Sequence, residues 1–127
     1  MPKRPLVAIV DDDESIRETT QDLLESAGLA AATFASAALL LQSQRLGSIS
    51  CLVTDLRMPQ MSGLQLHQHL VALNYAIPTI LITAYPDDRM RAQALKAKVV
   101  CYLAKPFAAE ELLACIRCAI PSLGGTE

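Results

Sequence analysis

The chain has 127 residues, 52% of them hydrophobic, and a formal net charge of -2 at pH 7. Such a length suits one domain, and such a composition supports a full apolar core and argues against disorder. With no dense Lys/Arg stripe, and only Lys3 and Arg4 as a short basic start, nothing gives general attraction to nucleic acid or an anionic membrane.

Leu6 to Val10 is a continuous apolar run, the pattern of a strand buried on both faces. Acidic residues begin at Asp11, so the start lacks the longer apolar segment and cleavage site of a secretory signal. No apolar stretch reaches the roughly 20 residues of a membrane helix, and a cytoplasmic location is expected. Glu14 to Ala27 has a helical stripe of Ile16, Thr20, Leu23, Leu24 and Ala27, with Gly28 as its stop. Leu29 to Phe34 is the weakest strand, because its alanines have poor strand propensity. Ser36 to Gln44 reads as a second helix with Ala37, Leu40 and Leu41 inward. Cys51 to Val53 is the third strand, and Ser62 or Gly63 opens a helix carrying Leu64, Leu66, Leu70 and Leu73. Thr79 to Ile82 is the fourth strand, and Asp87 caps a helix that runs to about Ala97. Val99 to Leu103 is the fifth strand. Pro106 to Ala119 contains the last helix, with Glu110 and Glu111 in its first turn and Leu112, Leu113, Ile116 and Ile120 inward. Residues 1–120 thus read as one domain. Residues 121–127, rich in Gly, Ser and Pro, read as a tail or the start of a linker. Five strand–helix units with right-handed crossovers make an α/β domain with helices on both faces of one sheet.

Cys51 and Cys101 sit in strand-like runs, where buried thiols are the default. Cys115 and Cys118 lie i, i+3 on a helix without a second pair, which does not make a zinc site. They also sit at the wrong end of that helix for thiolate stabilisation. His67 and His69 are two residues apart on a helix and point to different sides.

Polar residues gather where the strands end. Asp11, Asp12 and Asp13 follow the first strand, Asp55 the third, Thr83 the fourth and Lys105 the fifth. In an open parallel sheet those ends form the ligand-binding rim. Carboxylates crowded there repel one another unless a hard cation joins them. Oxygen ligands without histidine or thiolate favour Mg²⁺. Such an ion would align a phosphoryl group with a carboxylate nucleophile, while Lys105 and Thr83 supply a positive charge and a hydroxyl donor. The competing reading is that these Asp residues are helix caps and surface charge, and Asp13, just before Glu14, fits a cap well.

Val10-Asp11-Asp12-Asp13, Thr54-Asp55 through Met61-Ser62-Gly63, Ile82-Thr83-Ala84 and Tyr102-Leu103-Ala104-Lys105-Pro106-Phe107 together resemble the response-regulator receiver family of two-component signalling. The resemblance covers Leu6 to about Ile120, and is strongest to receivers of nitrogen-fixation and LuxR-type regulators. It implies a flavodoxin-like (βα)5 fold with strand order 2-1-3-4-5. It also implies that Asp55 accepts a phosphoryl group from a sensor histidine kinase or phosphotransfer protein. Asp11, Asp12, Asp55 and the backbone carbonyl of Arg57 would hold Mg²⁺, for which Mn²⁺ can substitute. Thr83 and Lys105 would bind the phosphoryl oxygens, Tyr102 would act as an aromatic switch, and the Lys105–Pro106 bond would be cis. The implied protein is a switch rather than a turnover enzyme. Its fourth helix, fifth strand and fifth helix would form a face for dimerisation or for an output domain that regulates transcription.

Lys98 and Val99 stand where receivers usually carry Gly-Ala, and Cys101 where an Asp is common. Lys at a left-handed helix end would be strained. These departures touch the output face and leave the acidic pocket intact. Arg57 and Tyr85 flank that pocket, at positions that influence dephosphorylation rate in this family. A phosphohydrolase of the haloacid dehalogenase type also uses Asp and Mg²⁺, and Asp11 and Asp13 mimic its Asp-x-Asp. Glu14 and Ser15 follow, however, where that motif needs a Thr or Val. A receiver-shaped module that is never phosphorylated is the other rival. No helix-turn-helix is present, so direct DNA binding is not expected.

Overall fold

The structure is a computed structural model and describes residues 5–120. The basic start at Lys3 and Arg4 and the tail from Pro121 lie outside the described residues.

Five parallel strands form one sheet in the order 2-1-3-4-5: β1 (Leu6–Val10), β2 (Ala30–Phe34), β3 (Cys51–Asp55), β4 (Thr79–Thr83) and β5 (Cys101–Ala104). The connecting helices are α1 (Glu14–Ser26), α2 (Ala37–Leu41), α3 (Gly63–Ala72) and α4 (Asp88–Lys96), and α5 (Ala109–Ala119) closes the fold. Successive side chains on a strand point to opposite faces. One face therefore buries Val7, Ile9, Val53, Ile80 and Ile82 against Leu24 of α1 and Leu112 and Ile116 of α5. The other buries Ala8, Val10 and Leu52 against Leu40, Leu66 and Leu70. Leu81 and Leu56 meet Ala94 and Val99 beneath α4. A fully buried Leu or Ile contributes about 2 kcal/mol of transfer free energy, so these layers are the main source of stability.

Local signals place the turns. Asp13 caps α1 by accepting from the Ile16 amide, and Gly28 ends it at φ 87°. Ser62 and Gln65 form a reciprocal capping box on α3. Asp87 accepts from the amides of Arg89 and Met90 at the start of α4.

Several expected positions differ. Leu73 is half exposed, because α3 ends at Ala72 and the chain turns through Asn74 at φ 69°. Ala27 is likewise an exposed cap residue rather than part of the α1 stripe. The second helix is only Ala37–Leu41, after which the chain turns towards Leu46. β5 begins at Cys101 instead of Val99, since Lys98 adopts φ 66° and Val99 is still bonded back to Ala94. Cys101 is half buried, on the last strand at the sheet edge, whereas Cys51 is fully buried. Burial pushes the Cys51 and Cys115 thiols up to about 12, which leaves little thiolate for chemistry.

His67 is buried, and its two ring nitrogens reach Thr79 Oγ1 at 2.7 Å and the Ala97 carbonyl at 2.9 Å. A carbonyl only accepts, so the geometry assigns a proton to Nε2. His69 is exposed, as the two-residue spacing requires.

Candidate functional site

Each candidate side chain arrives at the rim because a strand ends there. Asp11 follows β1, Asp55 closes β3, Thr83 closes β4 and Lys105 follows β5. Carboxylate oxygens of Asp11, Asp12 and Asp55 lie within 4.8 Å of one another. Among the described residues this is the one trio of carboxylate, thiol or imidazole groups placed closely enough to share a metal ion.

Asp11 is 4% exposed and is held on every side. Its amide donates to Phe34 of β2, its carbonyl accepts from Arg17 Nη1 at 2.7 Å, and its Oδ1 accepts from the Asp13 amide at 2.9 Å. Lys105 Nζ donates to Asp11 Oδ2 at 3.3 Å and lies 3.5 Å from Asp55 Oδ1. The ammonium thus bridges two carboxylates rather than pairing with Asp55 alone. Asp12 is exposed, with a carboxylate oxygen at the edge of the cluster formed with Asp11 and Asp55.

Asp55 is seated by its backbone. Thr54 Oγ1 donates to the Asp55 carbonyl at 3.0 Å, and the next residue, Leu56, donates its amide to Ile82. Gly63, the first residue of α3, bonds its amide to Leu56. A Cβ at Gly63 would collide with the Asp55 carbonyl oxygen and press on Thr54 and Leu81. Only glycine allows α3 to approach β3 this closely. Burial raises the Asp55 carboxyl above its ordinary value of 3.8, and the neighbouring charge of Asp11 pushes the same way. Lys105 opposes that shift, and Asp12 adds a smaller upward push. Burial first, and the neighbouring anions second, disfavour the charged carboxylate, and added positive charge would relieve both. All-oxygen donors at this spacing fit a hard divalent cation.

Thr83 is fully buried, and its Oγ1 accepts from the Tyr85 amide at 3.0 Å. The exposed Arg57 guanidinium lies 5.1 Å from the centroid of the Tyr85 ring, so these two residues stack beside the pocket. Tyr102 sits apart on β5, half buried. Its hydroxyl accepts from the Asp87 amide at 3.4 Å, and Arg91 lies over its ring. The Lys105–Pro106 peptide is cis. An open groove of about 650 Å³ runs beside Lys105, lined by Ile16, Thr20 and Leu23 of α1 and by Pro106 and Phe107.

Sequence reasoning missed two residues that build the site. Gly63 was legible only as a helix opener, since its contact is with a backbone atom of another element. Arg17 lies six residues beyond Asp11, and only the path of the β1–α1 turn brings its guanidinium back.

A doubly wound parallel sheet with an acidic, lysine-bridged pocket at its carboxyl rim is therefore the class of protein this chain defines. The family profile of the response regulator receiver domain matches residues 7–117. The response regulator protein TodT of Pseudomonas putida is 39% identical over 115 residues, covering 91% of this chain and 51% of the relative. The transcriptional regulatory protein FixJ of Azorhizobium caulinodans is 36% identical over 120 residues, covering 94% of this chain and 57% of the relative. The crystal structure of FixJ-N superposes with a TM-score of 0.82 at 36% identity, covering 93% of this chain and 94% of that one. The chain belongs to the response regulator receiver family of two-component systems, a family of signalling domains rather than of turnover enzymes. It spans about half the length of the curated relatives it matches. Among the described residues no helix is long and apolar enough to cross a membrane.

Proposed function

We propose that Asp55 accepts a phosphoryl group from the phosphohistidine of a sensor kinase or phosphotransfer protein, and that this biases the face formed by α4, β5 and α5. The observation that carries the reading is the meeting of three carboxylates within 4.8 Å, with Lys105 bridging two of them. Asp11, Asp12, Asp55 and the Arg57 backbone carbonyl would hold the cation. Mg²⁺, or Mn²⁺ in its place, would neutralise the clustered charge and the incoming phosphoryl oxygens.

An Asp55 carboxylate oxygen forms the new bond to phosphorus as the bond from phosphorus to the imidazole nitrogen breaks. Lys105 then exchanges a carboxylate partner for a phosphoryl oxygen. Thr83 acts as an acceptor toward Tyr85 and so keeps its own hydroxyl proton to donate to the same group. Drawing Thr83 inward loosens the β4–α4 connection, to which Tyr102 is tied through Asp87. Tyr102 would then change place, shifting the population of the output face. The apolar groove beside Lys105 gives the phosphodonor protein a place to dock.

Residues 1–120 would form the receiver, and residues 121–127 a tail or linker. The greater length of the relatives and the transcriptional role printed for FixJ support an output domain that regulates transcription, in a cytoplasmic protein. Incubation with Mg²⁺ and acetyl phosphate, read by intact mass, tests the reading. One added phosphoryl group, lost in Asp55→Asn, is expected. Stoichiometric persistence of the label counts against a phosphohydrolase. No adduct from acetyl phosphate or from any phosphorylated kinase would leave an interaction module that is never phosphorylated.

A further inference from the structure

We propose that Arg17 is a positioning residue for the cation site, acting through the backbone of Asp11. The inference rests on the reading of Asp11, Asp12 and Asp55 as the Mg²⁺ pocket. Arg17 lies one turn into α1, and its Nη1 donates to the Asp11 carbonyl at 2.7 Å, a short charge-assisted bond to a buried residue. That carbonyl belongs to the peptide joining Asp11 to Asp12. Fixing it therefore restrains the backbone from which the Asp12 carboxylate projects. The other polar groups of Asp11 are held by Phe34, Asp13 and Lys105. Those contacts orient the Asp11 side chain and the end of β1, and the Asp13 amide also closes a turn across the same peptide. Asp12 is exposed, and Arg17 adds a direct bond to the carbonyl of the peptide that carries it.

A positioning role and a bystander role predict opposite signs. As a mere positive charge near a cation site, Arg17 would repel Mg²⁺, and its removal would tighten binding. As the group that fixes the Asp11–Asp12 peptide, its removal weakens binding, because the ligands must be ordered as the ion arrives. Loss of outer contacts of this kind typically weakens metal binding by roughly tenfold or more.

The test is calorimetric titration of Mg²⁺ into the wild-type chain, Arg17→Met and Arg17→Lys, at a temperature where each is folded. The expected result is roughly tenfold weaker binding in R17M, with R17K between the two because it keeps the charge without the planar fork. Unchanged or tighter binding in R17M overturns the inference. A wild-type chain that takes up no Mg²⁺ overturns instead the reading of the pocket on which it rests. Should R17M fail to fold, the wild-type chain carries the test by itself. The Arg17 guanidinium NMR signals are expected to be protected from solvent exchange and to shift on Mg²⁺ saturation. Signals that exchange freely and ignore Mg²⁺ overturn the proposal.

Discussion

Thr79 and Thr83 stand at opposite ends of β4, and both are fully buried. Their surroundings differ. At the amino end, the Thr79 hydroxyl is enclosed between His67 and the Ile77 carbonyl, and His67 continues the chain of bonds to Ala97 at the end of α4. At the carboxyl end, Thr83 accepts from the Tyr85 amide, in a loop beside carboxylates that repel one another. One strand thus carries a closed polar network at its foot and an open one at its head. A closed network orders the fold, whereas an open one leaves groups free to answer a ligand. Effects of substitution at the head should therefore depend on Mg²⁺, and effects at the foot should not.

The largest expected effect is at the head. Gly63→Ala would press a methyl group into the Asp55 backbone and force α3 off β3. A loss of about 3 kcal/mol in urea unfolding is expected, together with weakened Mg²⁺ binding as Asp55 is displaced. Wild-type Mg²⁺ affinity in G63A would show that the carboxylate is placed independently of α3. At the foot, His67→Leu leaves the Ala97 carbonyl without its partner, and about 2 kcal/mol should be lost. Mg²⁺ titration and phosphoryl labelling of H67L should match the wild type. A changed Mg²⁺ affinity there would mean that the two ends communicate through β4.

Asp55→Asn inverts the usual effect of a substitution. Folding raises the pKa of the Asp55 carboxyl, chiefly by burial and then by the charge of Asp11. Its contribution to stability is therefore fully present below the ordinary value of 3.8 and is lost as pH rises through the folded value. Near neutral pH the ionised carboxylate costs stability, and D55N should gain about 1 kcal/mol without Mg²⁺. The gain should vanish in acid, where the wild-type carboxyl is protonated. Saturating Mg²⁺ should reverse the order, because the wild type gains binding free energy that D55N lacks. Parallel melting curves with and without Mg²⁺, at neutral and acid pH, check all three statements.

The uneven legibility of the sequence follows the same division. The central strands were readable because Leu6–Val10 and Thr79–Thr83 are buried on both faces and leave continuous apolar runs. The rim was readable because strand ends must carry whatever a parallel sheet binds, so that Asp11, Asp55, Thr83 and Lys105 could be placed from topology. His67 was not, since a lone histidine at an i, i+2 spacing says nothing about a carbonyl thirty residues away. Leu73 was misplaced because the 3.6-residue period continues past the point where Asn74 ends the helix. Arg17 gave no signal because its partner is a backbone oxygen, which has no letter in the sequence.

The smallest expected effect tests the foot of the sheet where α4 ends. Lys98 adopts φ 66° after α4, with its amide bonded to Leu95 and the Val99 amide bonded to Ala94. The left-handed conformation costs a residue with a Cβ about 1–2 kcal/mol, and glycine avoids that cost. Glycine also gives the unfolded chain more freedom, which offsets roughly 0.5–1 kcal/mol of the relief. Lys98→Gly should thus stabilise the chain by about 0.5 kcal/mol, measured as a rise in the urea midpoint at constant slope. Because the strain lies beside the closed network at Ala97, the gain should be the same with and without Mg²⁺. A gain that appears only with Mg²⁺ would place the end of α4 within the response to the pocket. The closed network at His67 would then respond to the pocket rather than stand apart from it.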